Sequence, residues 1–417
     1  MKNVFEDVAC AGCCCVCDDI QVTTDGQQIL DVQTTCPQGQ AWFARSRHTD
    51  QLQPLIKGAE TSREAALTRA AELIQNATSP LLFGMGQSAT EAQRAAISLA
   101  DRIGATIDSG AAASTRALQQ VGEASCTLGE VRSRADLIIY WNAESLRTNP
   151  HHQQTLNSGA DPISRKIVTV GASASDASAD VDLALRVPVE GEFETLWRLR
   201  ALLRGIALNG DVPPGPSAGE LDSLAALIRQ SRYIVIFFGP ATSGDRLFHR
   251  KLEALSLLAR EIQSERRCHT INVPTAGATK GAEPVLAWQT GYAAAVNFAV
   301  GYPRFSPCEY ATVRMLEEKE ADVCLLIGDA PLTGLSELAL QELQQIPLIH
   351  VGPAPLGDLE AEVFLPTDIS GIHSGGSLYR FDGTPLPLRA LIATSQLSEA
   401  EVLQQLESLL TPVLPIC

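Results

Sequence analysis

The stretch from Cys10 to Cys36 constrains this chain more than any other. It sets Cys10, Cys13 and Cys17 at C-x2-C-x3-C spacing and puts Cys36 directly before Pro37, beyond a strand-like run at 21–24 and an Asp25-Gly26 turn. The small Gly12 gives the loop room to bring its thiols together, and the hairpin can fold Cys36 back onto them. Four converging thiolates are what an iron-sulfur cubane needs, so the expected ligands of a [4Fe-4S] cluster are Cys10, Cys13, Cys17 and Cys36. Zinc also accepts four thiolates, usually from two close pairs, and stays open as the alternative, as do unliganded thiols. Cys14 and Cys15 exceed a four-ligand count.

Eleven cysteines, six of them within the first 36 residues, suit a reducing compartment with metal chemistry rather than a disulfide scaffold. The chain carries 48 acidic against 32 basic residues, a formal charge of -16, which argues against a nucleic-acid surface or a polybasic membrane contact. No basic-then-apolar segment opens it and no uninterrupted apolar run is long enough to span a bilayer, so the cytoplasm is the expected compartment.

Beyond the cysteines, apolar runs ending in glycine alternate with helical periodicity. A helix is expected over 62–75, capped by Thr61 or Ser62, then a buried strand over 80–86 and a helix over 90–103. Further strands are expected at 104–108, 135–142, 166–171, 182–187, 233–238, 270–273, 321–328 and 347–351, with helices at 192–204, 219–230 and 246–260. Strand, turn and helix in this order give an α/β fold of the doubly wound kind, whose ligands sit at the carboxyl ends of parallel strands. The Gly-, Pro- and Ser-rich stretch 205–218 reads as a linker. The expected organisation is therefore a small cysteine-rich [4Fe-4S] module at 1–55, a first α/β domain at 56–210 and a second at 211–417. The glycine-rich stretch 371–383 is expected to wrap back over the body. Gly84-Met85-Gly86 and Gly171-Ala172-Ser173 follow strands but are weak phosphate signals, because such turns follow most strands of this fold.

Several short motifs occur in a fixed order: the Cys10-x2-Cys13-x3-Cys17-Asp18-Asp19-Ile20 module with Cys36, Ala117-Leu118-Gln119, Thr127-Leu128-Gly129-Glu130, Arg134-Ala135-Asp136, Tyr140-Trp141 and Gly301-Tyr302-Pro303-Arg304. Together they resemble the B subunit of formylmethanofuran dehydrogenase, over nearly the whole chain to Tyr379-Arg380-Phe381-Asp382-Gly383. That family is similar to molybdopterin-dependent formate dehydrogenases. The resemblance implies a molybdopterin oxidoreductase-like fold with an N-terminal [4Fe-4S] module and α/β domains holding a tungsten or molybdenum bis-pterin guanine dinucleotide. It also implies that an active B subunit reduces carbon dioxide to formate, and that an amidohydrolase A subunit joins the formate to methanofuran.

In the family the metal is held by a Cys, followed by a His, just before the Ala-Leu-Gln helix. Here that loop, Asp108-Ser109-Gly110-Ala111-Ala112-Ala113-Ser114-Thr115-Arg116, has neither. A hydroxyl is a poor substitute for a thiolate on a soft metal, and Ser114 reads as an N-cap for the helix it precedes. Arg304 matches the family's active-site arginine stretch, where a guanidinium can hold formate bidentately; an ion pair at an interface explains it equally well. Cys126 and Cys308 read as buried thiols; His151-His152 falls where the family has a Pro-His rich segment, and an exposed polar position explains it as well as chemistry does. The lost Cys-His pair resembles the bacterial formyltransferase/hydrolase complex, which moves a formyl group from tetrahydromethanopterin to methanofuran and releases formate without redox chemistry in its B subunit. The expectation is a scaffold subunit whose own redox activity is lost, partnered by A, C and D subunits. The alternatives are a catalytic tungsten- or molybdenum-pterin subunit and a free-standing iron-sulfur binding protein.

Overall fold

The computed structural model describes residues 2–13, 15–34, 36–147, 149–158, 163–174, 181–208, 210, 214–239, 247–274, 281–329, 332–357 and 359–411. Cys14, and Val212 and Pro213 of the expected linker, lie outside them. The chain divides into two compact units, one formed by 1–112 with 276–417 and the other by 113–275.

The first unit opens with an antiparallel sheet of β1 (Asn3–Val8), β2 (Ile20–Thr24) and β3 (Ile29–Gln33), followed by the helix Pro37–Ala44. After the short β4 (Leu55–Ile56) and β5 (Ala59–Glu60), the helix Arg63–Gln75 starts at Ser62, whose side chain accepts from the Ala65 amide. β6 (Pro80–Gly84) and β7 (Thr106–Asp108) flank the helix Thr90–Ile103 and pair in parallel.

The second unit carries one five-stranded parallel sheet. Its strands are β8 (Leu137–Trp141), β9 (Lys166–Gly171), β10 (Leu183–Arg186), β11 (Tyr233–Phe238) and β12 (Arg267–Asn272), in the order β10-β9-β8-β11-β12. Every residue of β8 and β11 is buried, as parallel strands covered by helices on both faces must be. The helices Glu192–Leu203, Ala218–Gln230 and Phe248–Gln263 supply much of that cover.

The chain then returns to the first unit with β13 (Val296–Asn297), β14 (Arg304–Phe305), β15 (Val323–Ile327), β16 (Leu348–Gly352) and β17 (Val363–Pro366). These extend the sheet begun by β6 and β7 to nine strands in the order β14-β13-β7-β6-β15-β16-β17-β4-β5. The hairpin of β18 (Gly376–Tyr379) and β19 (Pro385–Leu388) follows, and the helix Glu399–Leu409 closes the described chain. That hairpin belongs to the glycine-rich stretch, and Leu378, Leu386, Leu388 and Leu391 pack with Val8, Val16, Trp42 and Phe43 in one core.

Two doubly wound sheets are present as expected, but the sequential boundaries 56–210 and 211–417 do not follow them. β6 is buried along its apolar length and takes β7 on one side and β15 on the other, so 321–366 completes the first sheet. β11 pairs with β8, which joins 113–210 to 211–275. The expected helix after Ser114 begins earlier: Ala112–Val121 already contains Ser114, which is therefore not its N-cap.

Candidate functional site

The cysteine module is built by the β2–β3 hairpin and the Pro37–Ala44 helix. Asp25 Oδ1 accepts from the Gln27 and Gln28 amides, each at 2.9 Å, and fixes the turn that brings Cys36 back. Cys36 is the N-cap of the helix and Pro37 its first residue. The Cys10 amide donates to the Cys17 carbonyl at 2.8 Å and the Val16 amide to the Cys13 carbonyl at 3.2 Å, which closes the loop on itself. Gly12 is required there, because a Cβ would lie 2.9 Å from Trp42 Cβ and 3.2 Å from the Gln38 carbonyl oxygen.

The loop brings the four thiols within electrostatic reach of one another. Burial pushes the Cys10 thiol up to about 12, against a hydrogen bond from the Gly12 backbone, with Cys13 and Cys36 adding to the rise. Cys17 is pushed up by burial and then by Cys13, Cys10, Asp19 and Cys36. Among the described residues no group of three or more His, Cys, Asp or Glu side chains is arranged to hold a metal ion. As donors, four thiols nevertheless suit a soft, multiply charged centre, which would hold them as thiolates. Arg380, from the far end of the chain, lies beside them: it reaches Asp18 at 3.7 Å and Asp382 at 2.9 Å and is within the field of Cys17.

The 108–116 loop is tied to backbone groups of residues 293–312 and to its own Gly110. Asp108 is buried at the end of β7; its Oδ1 accepts from the Gly110 and Ala295 amides, each at 3.1 Å, and its Oδ2 from the Thr312 amide at 2.8 Å. Ser109 Oγ donates to the Ala293 carbonyl at 2.9 Å. Ser114 and Thr115 are inside the following helix. Arg304 is exposed on β14, the edge strand two places from β7 in the sheet, with its guanidinium 5.8 Å from the Tyr310 ring centre. No ion pair holds it among the described residues.

Other expectations change. His151 and His152 are buried rather than surface residues; His152 Nε2 sits 3.1 Å from Tyr140 Oη, its ring lies edge-on to Tyr140 and Phe237, and burial holds it down to about 3. Apolar packing against β8 and β11 draws it in. Cys126 is buried, as read, whereas Cys308 is exposed, in a turn after β14.

The carboxyl ends of both sheets carry charged side chains outside the motifs, Glu192 and Lys251 at one and Glu399 at the other. At β8, Trp141 Nε1 and Asn142 Nδ2 each donate to Glu192 Oε1 at 2.8 Å, and Lys251 Nζ lies 3.0 Å from Glu192 Oε2. At β15, Gly328 (φ +76°) leaves space that its Cβ would otherwise take, 2.6 Å from Ser88 Oγ and 3.4 Å from Glu399 Oε1. Burial pushes Glu399 up to about 7; Asp368 and Asp329 add to the rise, while Ser88 and Arg45 oppose it. Burial likewise pushes Asp368 up to about 6, helped by Glu401 and opposed by a hydrogen bond from Ser374. Glu399 comes from the first turn of the last helix, so its meeting with β15 leaves no local signature.

The fold and the site together define an α/β protein with two doubly wound sheets and a four-cysteine module on its N-terminal hairpin. No family model matches the chain. It is 28% identical over 412 residues to the B subunit of the tungsten-containing formylmethanofuran dehydrogenase 2 of Methanocaldococcus jannaschii, covering 94% of each chain. It is 26% identical over 335 residues to the B subunit of the formyltransferase/hydrolase complex Fhc of Methylorubrum extorquens, covering 78% of this chain and 87% of that one. Among solved structures, a chain of the Methylorubrum extorquens FhcABCD complex with methylofuran superposes with a TM-score of 0.68 at 23% identity, over 85% of this chain and 98% of that one. Acetylene hydratase from Pelobacter acetylenicus superposes with a TM-score of 0.65 at 12% identity, over 97% of this chain and 69% of that one. The chain is thus a homologue of the B subunits of formylmethanofuran dehydrogenase and of Fhc. Among its described residues no helix is long and apolar enough to cross a membrane.

Proposed function

We propose that this chain is the B subunit of a formyl-handling complex in methanofuran-linked one-carbon metabolism, assembled with A (amidohydrolase), C and D subunits, and that it serves there as a scaffold without redox chemistry of its own. The observation that carries this reading is the 108–116 loop. It offers no thiolate or imidazole, Asp108 is spent on three backbone amides and Ser109 on a carbonyl. Such a loop lacks the Cys and His with which the family it resembles holds its tungsten or molybdenum, and its one carboxylate is already satisfied. The buried Glu192–Lys251 pair at the carboxyl end of β8 supports the same conclusion, since a dinucleotide bound there would have to displace it.

Cys10, Cys13, Cys17 and Cys36 are the proposed ligands of a [4Fe-4S] cluster that staples the hairpin to the Pro37–Ala44 helix. The mutual electrostatic reach of the same thiols that spacing selects supports it, as does the cation Arg380 near Cys17. The test is formate-dependent reduction of a viologen dye by the purified complex. No reduction, with formyl transfer intact, is expected; dye reduction together with tungsten or molybdenum near one per chain would overturn the scaffold reading.

A further inference from the structure

In the second unit a shallow bowl of about 700 Å³ opens at the amino ends of β11 and β12. It is walled by Arg229, Arg232, Arg266 and Arg267, with Glu265 the one acidic residue of its described lining. The helices Ala218–Gln230 and Phe248–Gln263 end at its rim, and cations there offset the partial negative charge of a helix carboxyl end. That accounts for Arg229, whose Nη2 donates to the Leu202 carbonyl at 2.6 Å, while Arg266 pairs with Glu265 at 3.0 Å.

It does not account for Arg232 and Arg267. Arg267 opens β12 in register with Tyr233, the residue after Arg232, and its amide donates to the Arg232 carbonyl at 3.2 Å. Both are exposed, and among the described residues neither guanidinium makes an ion pair or a hydrogen bond. In a chain of net charge -16, this leaves Arg232 and Arg267 as two exposed cations without an anionic partner among the described residues, beside Arg229 and the Arg266–Glu265 pair.

We infer that this bowl docks an acidic segment of a partner protein, with carboxylates taken by the Arg232 and Arg267 forks. A planar guanidinium matches a carboxylate bidentately. Compact phosphate groups are usually held by backbone amides at helix amino ends, and here the two helices present their carboxyl ends instead. The inference is independent of the iron-sulfur and scaffold readings.

The experiment is fluorescence anisotropy of a labelled tetra-aspartate peptide on the full chain, at low and physiological salt, with tripolyphosphate as competitor. Binding that weakens with salt is expected, falling by about tenfold or more in the Arg232→Gln/Arg267→Gln variant. Arg232→Lys/Arg267→Lys, which keeps the charge and loses the fork, is expected to fall between the two. Arg94→Gln, which removes one such charge at an exposed residue of the helix Thr90–Ile103, should bind as the parent does. No binding at low salt, an equal loss in Arg94→Gln, or tripolyphosphate binding more tightly than the peptide would each overturn the inference. Circular dichroism of each variant checks that the sheet is intact.

Discussion

Replacing Glu399 by Gln tests the electrostatics of the first sheet's carboxyl end. Glu399 is held up to about 7 from an ordinary 4.5, first by burial and then by Asp368 and Asp329, against Ser88 and Arg45. In the folded chain it stays protonated until about pH 7, whereas in the unfolded chain it ionises from about pH 4.5. The unfolded state therefore sheds its proton first, and stability falls as pH rises through that window. At about 1.4 kcal/mol per pH unit, the rise from 4.5 to about 7 amounts to about 3 kcal/mol. Asp368 titrates in the same pocket, so the loss belongs to the pair rather than to either residue alone. Glutamine keeps the volume and the neutral hydrogen-bonding capacity but cannot ionise. Urea unfolding of parent and Glu399→Gln at about pH 5 and about pH 8 should show the variant gaining about 2–3 kcal/mol on the parent at the higher pH, and little at the lower. Equal pH dependence in both chains would refute the argument, because the buried charge it invokes would then be absent.

Three further outcomes follow from single contacts. Gly12→Ala puts a methyl 2.9 Å from Trp42 Cβ and should cost about 1–3 kcal/mol in urea unfolding, together with lower iron content. Cys36→Ser should abolish bound iron and acid-labile sulfide, expected at about four each in the parent, whereas Cys15→Ser should retain them; both are read by metal and sulfide analysis. Arg304→Gln, at an exposed residue without an ion pair among those described, should change stability by no more than about 0.5 kcal/mol, and formyl transfer by the complex should be unchanged.

Local signals carried far in this chain. The strands Lys166–Gly171 and Tyr233–Phe238 and the helix Thr90–Ile103 stand where apolar period and glycine punctuation put them, because each is decided by neighbours in sequence. Ser62 caps its helix for the same reason. What pairs with what was not legible. β6 meets β15 some 240 residues later, and an all-apolar strand is compatible with any parallel neighbour, so nothing in residues 80–84 selects 323–327 over 137–141. The site divides along the same line. The cysteines share one short loop and declare their spacing, whereas Arg380 and Glu399 reach their pockets only through the tertiary fold. His151-His152 left an exposed and a chemical reading equally open, because the aromatic faces of Tyr140 and Phe237 that enclose His152 lie on β8 and β11, out of reach of any local signal.

The core shared by the hairpin and the C-terminal segment makes iron removal a structural test as well as a chemical one. Val8, Cys10, Val16, Trp42 and Phe43 pack with Ile369, Ile372, Leu378, Leu388 and Leu391, and the Ala393 amide donates to the Gly26 carbonyl at 3.1 Å. If a cluster holds the four thiols together, its loss leaves the Cys10–Cys17 loop with buried sulfurs and few backbone bonds, and binding free energy that was folding free energy disappears. Hydrogen exchange after anaerobic chelation should then show residues 8–43 and 369–392 losing protection together, while β8 and β11 keep theirs, since their core is formed within the second unit. Protection lost in 8–43 alone would mean that the C-terminal segment is held by the nine-stranded sheet rather than by the module. Unchanged protection throughout would mean that the hairpin folds without metal, and that the staple is not what the four cysteines provide.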